Sequence, residues 1–149
     1  MKTLSRLVTV LAVAIVAIFP ARADQYVNAD MLPDNAKTFI QKNYASEGYR
    51  TCERDDDGHY DVELRNGVNL EFDAEGKLLK IDGGTRRVSK SVLKQILPAK
   101  AYAELESRNV LGKVDEVEFN RYNIKIDLRV MRNDEIVFDI DGNLQYITD

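Results

Sequence analysis

The chain has 149 residues, with 21 Lys and Arg against 25 Asp and Glu, and a sequence pI of about 5.1. This acidic balance argues against nucleic acid or an anionic membrane surface as a partner, because both attract clustered basic residues. Cys52 is the one cysteine, so an internal disulfide is excluded and stability must come from packing.

The first 23 residues predict a secretory signal peptide. Basic residues precede an apolar run from Leu7 to Phe19, and Ala21 and Ala23 place small side chains where signal peptidase cuts. The run is too short for a membrane-spanning helix, which needs about 20 residues, and no cysteine follows it to carry a lipid. We expect cleavage before Asp24, a periplasmic or secreted location and no stable membrane anchor.

After this segment, a helix and four strands are predicted. Pro33 fits the first turn of a helix, Ala36 and Ile40 recur at helical spacing, and Gly48 ends the helix. Apolar and polar residues then alternate with period two, which is typical of half-buried strands. The predicted strands are residues 49–55, 60–64, 68–72 and 78–81, with turns at 55–58, 66–67 and 73–76.

The second half of the chain predicts the same unit again. Residues 83–85 form a linker, and residues 88–96 have helical spacing with Ser89 or Ser91 as a cap. A second short helix begins at Pro98. The predicted strands are residues 114–120, 122–130, 135–139 and 144–148.

Two pairs of landmarks show that the halves are a duplication. Leu32-Pro33 recurs as Leu97-Pro98, and Phe72-Asp73 recurs as Phe138-Asp139. The fold class is therefore α+β, with two tandem repeats, each a helix or short helix pair plus a four-stranded antiparallel sheet. The predicted boundaries are 1–23 for the signal peptide, 24–84 for repeat 1 and 85–149 for repeat 2. We expect the repeats to form one compact unit that shares a core or joins its sheets edge to edge.

The landmarks also carry a family resemblance. The Leu32-Pro33 pair, a helix with Phe39-Ile40, residues 60–67 (YDVELRNG) and residues 70–78 (LEFDAEGKL) resemble the PepSY-like, beta-lactamase-inhibitor-like periplasmic proteins of Bacteroidetes-type bacteria. The second copy matches less well in its helix and second strand. The resemblance implies a tandem repeat with the fold of the beta-lactamase inhibitor protein. It implies no active site, although some members have been described as calcium-regulated.

Cys52 and His59 are the residues to weigh for nucleophilic or zinc chemistry. Cys52 aligns with Val117 of the second repeat, which predicts a core position. His59 is out of phase with buried Tyr60 and is expected to be exposed. A nucleophilic pair needs both side chains on one face, and no zinc-ligand spacing is present. No enzyme activity and no cofactor are therefore expected.

Two aspartate-rich turns leave calcium as an alternative. Asp55 and Asp57 lie in one turn, and Asp139 and Asp141 lie in another that ends at Gly142. A calcium ion takes six or more oxygen ligands, and neither turn supplies the later carboxylates of a calcium loop. Hairpin turns, which favour Asp first and Gly at a positive φ, explain the same residues better.

The predicted strands also place charged residues on a shared polar sheet face. The candidate partner-binding residues are Asp61, Glu63, Glu71, Lys125, Asp127 and Arg129. Charges of mixed sign on a sheet usually form a solvated surface. The functional hypothesis is a non-catalytic binding module for a protein or peptide, inhibitor-like or an envelope accessory. The alternative is a calcium-responsive periplasmic protein that uses the aspartate-rich turns.

Overall fold

The computed structural model describes residues 25–129 and 133–148. Within them, nine strands form one antiparallel sheet in which each strand pairs with the next along the chain. Three α helices cover one side of this sheet. In chain order the elements are β1 (Gln25–Tyr26), α1 (Asp34–Tyr44), β2 (Tyr49–Arg54), β3 (Tyr60–Leu64), β4 (Asn69–Phe72), β5 (Leu78–Asp82), α2 (Lys90–Ile96), α3 (Ala99–Ser107), β6 (Val114–Phe119), β7 (Asn123–Arg129), β8 (Asn133–Asp139) and β9 (Leu144–Thr148).

The helix starts follow the sequence signals. Pro33 and Pro98 are the N-caps of α1 and α3, so each proline directly precedes its helix. Ser89 caps α2, because its hydroxyl accepts a hydrogen bond from the backbone N–H of Val92 at 3.3 Å. Of the two serines proposed as a cap, Ser89 is therefore the one that acts.

The apolar side chains of the alternating strands form one core beneath the helices. Phe72 and Phe138 are both 0 % exposed, at equivalent positions in β4 and β8. The core runs without interruption from repeat 1 to repeat 2. Its burial is the main force that holds the helices on the sheet.

The two sheets are joined edge to edge, and the two repeats share the core as well. At the junction between β5 and β6, Lys80 pairs with Glu118, Ile81 with Val117 and Asp82 with Glu116. The predicted two-repeat α+β fold is confirmed, and both expected ways of joining the repeats occur together.

The last hairpin of each repeat docks against the start of a helix. Gly76 has φ +81°, and a Cβ there would lie 2.8 Å from Pro33 Cβ. Gly142 has φ +84°, and its Cβ would lie 2.8 Å from Pro98 Cβ. The Leu-Pro pair and the Asp-x-x-Gly turn of each repeat are therefore one contact, which explains why the duplication keeps both. Lys100 at the start of α3 also donates to the amide oxygen of Asn143, at 2.9 Å.

The structure differs from the predicted elements at a few positions. The segment before α1 contains a strand of two residues, β1, which was not predicted. In it Gln25 pairs with Arg54 and Tyr26 pairs with Glu53. β7 begins at Asn123 because Tyr122 belongs to the turn. The predicted signal peptide, and residue 130 at the end of a predicted strand, lie outside the described residues.

Candidate functional site

The side of the sheet opposite the helices is polar and is crossed by two rows of side chains, one residue per strand. The first row, from β2 to β9, is Glu53, Asp61, Glu71, Lys80, Glu118, Lys125, Val137 and Tyr146. The second row is Thr51, Glu63, Asn69, Asp82, Glu116, Asp127, Glu135 and Thr148. We call these sixteen residues the acidic face.

The acidic face carries nine carboxylates against two lysines. Acidic and basic residues are mixed along the sequence, but the pleat of the strands sends the carboxylates to one side. Five of the nine were not among the candidates from the sequence. They are Glu53, Asp82, Glu116, Glu118 and Glu135. The signal that could have found them is the period-two alternation within each strand, because each of the five directly adjoins a core residue in the sequence. Which of them oppose one another depends on the strand register, which the sequence alone does not fix.

The repeat 1 half of the acidic face forms a shallow concavity of about 450 Å³. Partial burial and the neighbouring carboxylate of Asp61 raise the pKa of Glu71, against the opposing effects of His59 and Lys80. Lys80 reaches across the junction between the repeats, where its Nζ lies 3.0 Å from an oxygen of Glu116. The concavity is therefore lined mainly by carboxylates, and Lys80 is the cation that connects it to the second repeat.

The repeat 2 half forms a second concavity, of about 340 Å³. Lys125 Nζ lies 2.9 Å from Glu135 and 3.7 Å from Asp127. Burial raises the pKa of Asp127, and the nearby Glu135 carboxylate adds to this rise, although Lys125 opposes it. Beyond these residues, toward β9, the face becomes apolar at Val137 and Tyr146.

Arg129, the last candidate, ends β7 two residues after Asp127. Its side chain is bound to the linker between the repeats. Its Nη2 lies 2.5 Å from Oδ1 of Asp115, and its Nε donates to Oδ2 of the same carboxylate at 3.2 Å. It also donates to the backbone carbonyl oxygens of Gly84 and Thr85. The other five candidates belong to the acidic face, whereas Arg129 ties β7 and β6 to the linker.

Cys52 and His59 lie on opposite sides of the sheet. Cys52 is buried in the core opposite Val62, and burial raises the pKa of its thiol to about 11. His59 is half-buried on the other side, with Nδ1 3.8 Å from Asp55 and 3.9 Å from Glu71. The thiol therefore stays protonated and has no imidazole beside it, so the two residues do not form a nucleophilic pair.

The first aspartate of each predicted turn, Asp55 or Asp139, holds that turn together through its side chain. Asp139 Oδ1 accepts hydrogen bonds from the backbone N–H groups of Asp141 (3.0 Å) and Asn143 (2.8 Å). The hydrogen bonds from Asn143 lower the pKa of Asp139. In the other turn, Asp55 Oδ1 accepts from the N–H of His59 at 2.8 Å, and Asp57 is exposed. In the described parts of the chain, no three His, Cys, Asp or Glu side chains group closely enough to hold a metal.

The family described as "Putative beta-lactamase-inhibitor-like, PepSY-like" matches residues 21–80 and 84–146. The chain belongs to this PepSY-like family. The two matched segments are the two repeats, so the resemblance seen in the sequence is confirmed. No curated protein was found to match this PepSY-like chain.

Three solved structures resemble this PepSY-like protein over 85% of its length. A "putative periplasmic protein of unknown function" from Bacteroides vulgatus is 25% identical, with a TM-score of 0.71 and 100% of that chain covered. A "putative calcium-regulated periplasmic protein" from Bacteroides thetaiotaomicron is 22% identical, with a TM-score of 0.74 and 97% covered. Another "putative periplasmic protein" from Bacteroides vulgatus is 23% identical, with a TM-score of 0.74 and 97% covered.

The descriptions of the PepSY-like relatives concern two properties, the cellular location of those proteins and the kind of protein they are. All three structures are described as periplasmic. Among the helices of the described residues, none combines the length and apolarity that crossing a membrane requires. Neither the description of the family nor the descriptions of these three structures name a catalysed reaction.

Proposed function

We propose that this protein is a non-catalytic binding module of the bacterial periplasm, and that its acidic face docks a cationic segment of a partner protein. The observation that carries the proposal is the sorting of nine carboxylates onto the helix-free side of one continuous sheet. A fixed array of charges on a rigid sheet selects a partner by complementarity, through association rate and specificity.

The second row of the acidic face sets like charges directly against each other. Asp82 is paired with Glu116, Glu116 with Asp127, and Asp127 with Glu135. Like charges in directly opposite positions destabilise a sheet, and the two lysines offset only part of this repulsion. An arrangement that costs folding free energy is typical of a functional surface. A cationic partner would relieve the repulsion, whereas a surface needed only for solubility would gain nothing from this placement.

The shape of the acidic face favours a macromolecule over a small ligand. Small-molecule sites are mostly enclosed and apolar, with a few polar groups. The two concavities are instead shallow and lined by charged side chains, among them Asp61, Lys80 and Asp127. The family description is inhibitor-like, and an inhibitor that used the acidic face would cover a basic surface of its target.

The decisive experiment captures partners from periplasmic extract of the source bacterium, with mass spectrometry as the readout. The test variant neutralises the four carboxylates of the second row that directly oppose one another, with Asp82→Asn, Glu116→Gln, Asp127→Asn and Glu135→Gln. The control variant removes the same number of charges from exposed positions outside the acidic face, with Asp30→Asn, Asp56→Asn, Glu75→Gln and Glu106→Gln.

The test variant should lose its cationic partner while melting at the same or a higher temperature, because the repulsion is gone. The control should bind like the wild-type protein. Equal capture by the test variant and the wild type would show that the acidic face is not the binding site.

The proposed location has its own test. We propose export with cleavage before Asp24, which the family relatives support because they are described as periplasmic. N-terminal sequencing of the protein from its host should begin at Asp24. Recovery of chains that retain Met1 in the cytoplasmic fraction would contradict export.

A calcium-responsive role stays as the alternative hypothesis. The Bacteroides thetaiotaomicron structure is described as calcium-regulated, but at its level of identity the likeness concerns the fold. In this chain the oxygens of Asp139 already accept three hydrogen bonds from its own turn. Millimolar calcium should therefore leave the melting temperature unchanged, and a rise that Asp139→Asn abolishes would favour the alternative.

A further inference from the structure

We propose that β9 is a docking edge for a second copy of this chain, with the two β9 strands pairing antiparallel around a twofold axis. β9 is the last strand of the sheet and, among the described residues, pairs only with β8. Its outer backbone groups are therefore open to another strand. Natural sheets usually protect such an edge with charges, proline or a covering element.

The duplication shows what fits on this edge. β5 is the equivalent strand of repeat 1, and its outer edge is paired with β6 through Lys80, Ile81 and Asp82. The residues of β9 at these three positions are Tyr146, Ile147 and Thr148, as their pairing with β8 shows. The repeat thus has a built-in site for an antiparallel strand, occupied in repeat 1 and open in repeat 2.

The exposed fractions of the two equivalent isoleucines show the difference between the paired edge of β5 and the open edge of β9. Ile81 is 0 % exposed beneath the junction, whereas Ile147 is 38 % exposed. Leu144 and Tyr146 are also exposed, at 39 % and 50 %. An added strand would cover apolar surface on both sides of β9.

The charges of the two edges decide in favour of a second copy. Lys80 of β5 pairs with a carboxylate of β6, since its Nζ lies 3.0 Å from Glu116, so the repeat 1 edge selects a charged strand. The described residues of β9, Leu144–Thr148, carry no charge. An uncharged strand meets no repulsion from its own copy and gains no salt bridge from a charged one.

A twofold axis at Ile147 gives a self-complementary register. Ile147 would then face its symmetry mate on the helix side, and Tyr146 would face Thr148 of the other copy on the polar side. Twofold contacts of this kind are the commonest in homo-oligomers. The seam would lie beyond the charged part of the acidic face and would leave that part free. Because the strand is short, the dimer should be weak and depend on concentration.

Sedimentation velocity of the purified protein from about 5 to 500 µM tests the dimer. The wild type should shift from monomer toward dimer as its concentration rises. Ile147→Lys places two charges opposite each other at the axis and should weaken association at least tenfold. The matched control is Met31→Lys, because Met31 is an exposed apolar residue far from β9 in the chain and its replacement adds the same charge. It should associate like the wild type.

A cysteine variant tests the register without depending on the stability of Ile147→Lys. Directly opposite residues of an antiparallel pair lie within the Cα separation of a disulfide. Ile147→Cys should therefore form a covalent dimer with oxidised glutathione, and Met31→Cys should not. Cys52 is buried and should stay unreacted in both. The proposal is overturned if the wild type is monomeric throughout, if Ile147→Lys dimerises like the wild type, or if Ile147→Cys crosslinks no more than Met31→Cys.

Discussion

Gly76 and Gly142 combine a positive φ with close contact to the start of a helix. At Gly76, an added Cβ would lie 2.8 Å from Pro33 Cβ and 2.9 Å from the backbone nitrogen of Ala36. Gly76→Ala must therefore strain its own backbone and also move the hairpin away from α1. We expect a loss of about 2 kcal/mol or more in the free energy of unfolding, measured by urea denaturation.

Gly67 provides the matched control for this prediction. It has φ +85°, close to that of Gly76, but nothing lies within 4 Å of an added Cβ. Gly67→Ala should therefore cost only the conformational part, about 1 kcal/mol. Equal losses at the two positions would show that the docking of the hairpin on α1 adds nothing to stability.

Phe72 and Phe138 test the duplication at a single pair of residues. Both are fully buried at equivalent positions in β4 and β8. Truncation of either to Ala should lower the free energy of unfolding by about 3–5 kcal/mol, because each leaves a cavity of similar size. Thermal denaturation of Phe72→Leu and Phe138→Leu gives a milder comparison. A large loss in one repeat and none in the other would mean that the two positions are not structurally equivalent.

At the scale of elements, Arg129 connects the second repeat to the linker. Its guanidinium reaches Asp115 in the irregular part of β6 and the carbonyl oxygens of Gly84 and Thr85. Arg129→Gln should lower the free energy of unfolding by about 1–2 kcal/mol, because several charge-assisted hydrogen bonds are lost from a partly exposed site.

Arg50 is a suitable control because it also lies at an irregularity, in β2. Among the described residues Arg50 makes one ion pair, with Glu63, and its own side chain is 65% exposed, so Arg50→Gln should change stability by less than about 0.5 kcal/mol. Chemical denaturation of both variants compares the two sites. If Arg129→Gln is as stable as Arg50→Gln, the linker contact does not stabilise the junction.

Because Arg129 has this structural contact, charge reversal to test the acidic face is better made at Lys125.

The elements were predictable where the period-two and helical patterns are long. In β3, Tyr60 and Val62 alternate with polar residues, and the predicted strand is confirmed. β1 escaped prediction because two residues cannot show a pattern, and in the described part of the chain it is a strand through its pairing with Glu53 and Arg54. A strand that exists through one tertiary contact carries no local signal.

The composition of the acidic face was less predictable than its existence. Asp61 and Glu63 were recognisable because they alternate with buried residues within one strand. The opposition of Asp82 to Glu116 depends on the junction between β5 and β6. Such long-range register is set by how the two repeats join, which no local pattern describes. The face therefore resembled a mixed-charge surface in the sequence and is mainly acidic in the structure.

At the scale of the whole molecule, the acidic face makes stability depend on pH in an unusual direction. Burial and neighbouring carboxylates raise the pKa values of Glu71 and Asp127 above their ordinary values. The native state then binds protons at these two groups more tightly than the unfolded chain does. Stability should therefore rise as the pH falls from 7 toward the carboxyl range of about 4–5. A carboxylate with a lowered pKa, such as Asp139, has the opposite effect, but only below that range.

Thermal unfolding between pH 7 and about pH 4 measures this effect, and a double variant assigns it to the acidic face. Glu71→Gln with Asp127→Asn should melt higher than the wild type at pH 7 and should gain less on acidification, because its two raised groups no longer titrate. A control with Asp30→Asn and Glu106→Gln changes the net charge equally at exposed positions and should keep the wild-type pH dependence. If the double variant gains as much as the wild type on acidification, the repulsion does not reside on the acidic face. The electrostatic argument for a cationic partner would then lose its physical basis.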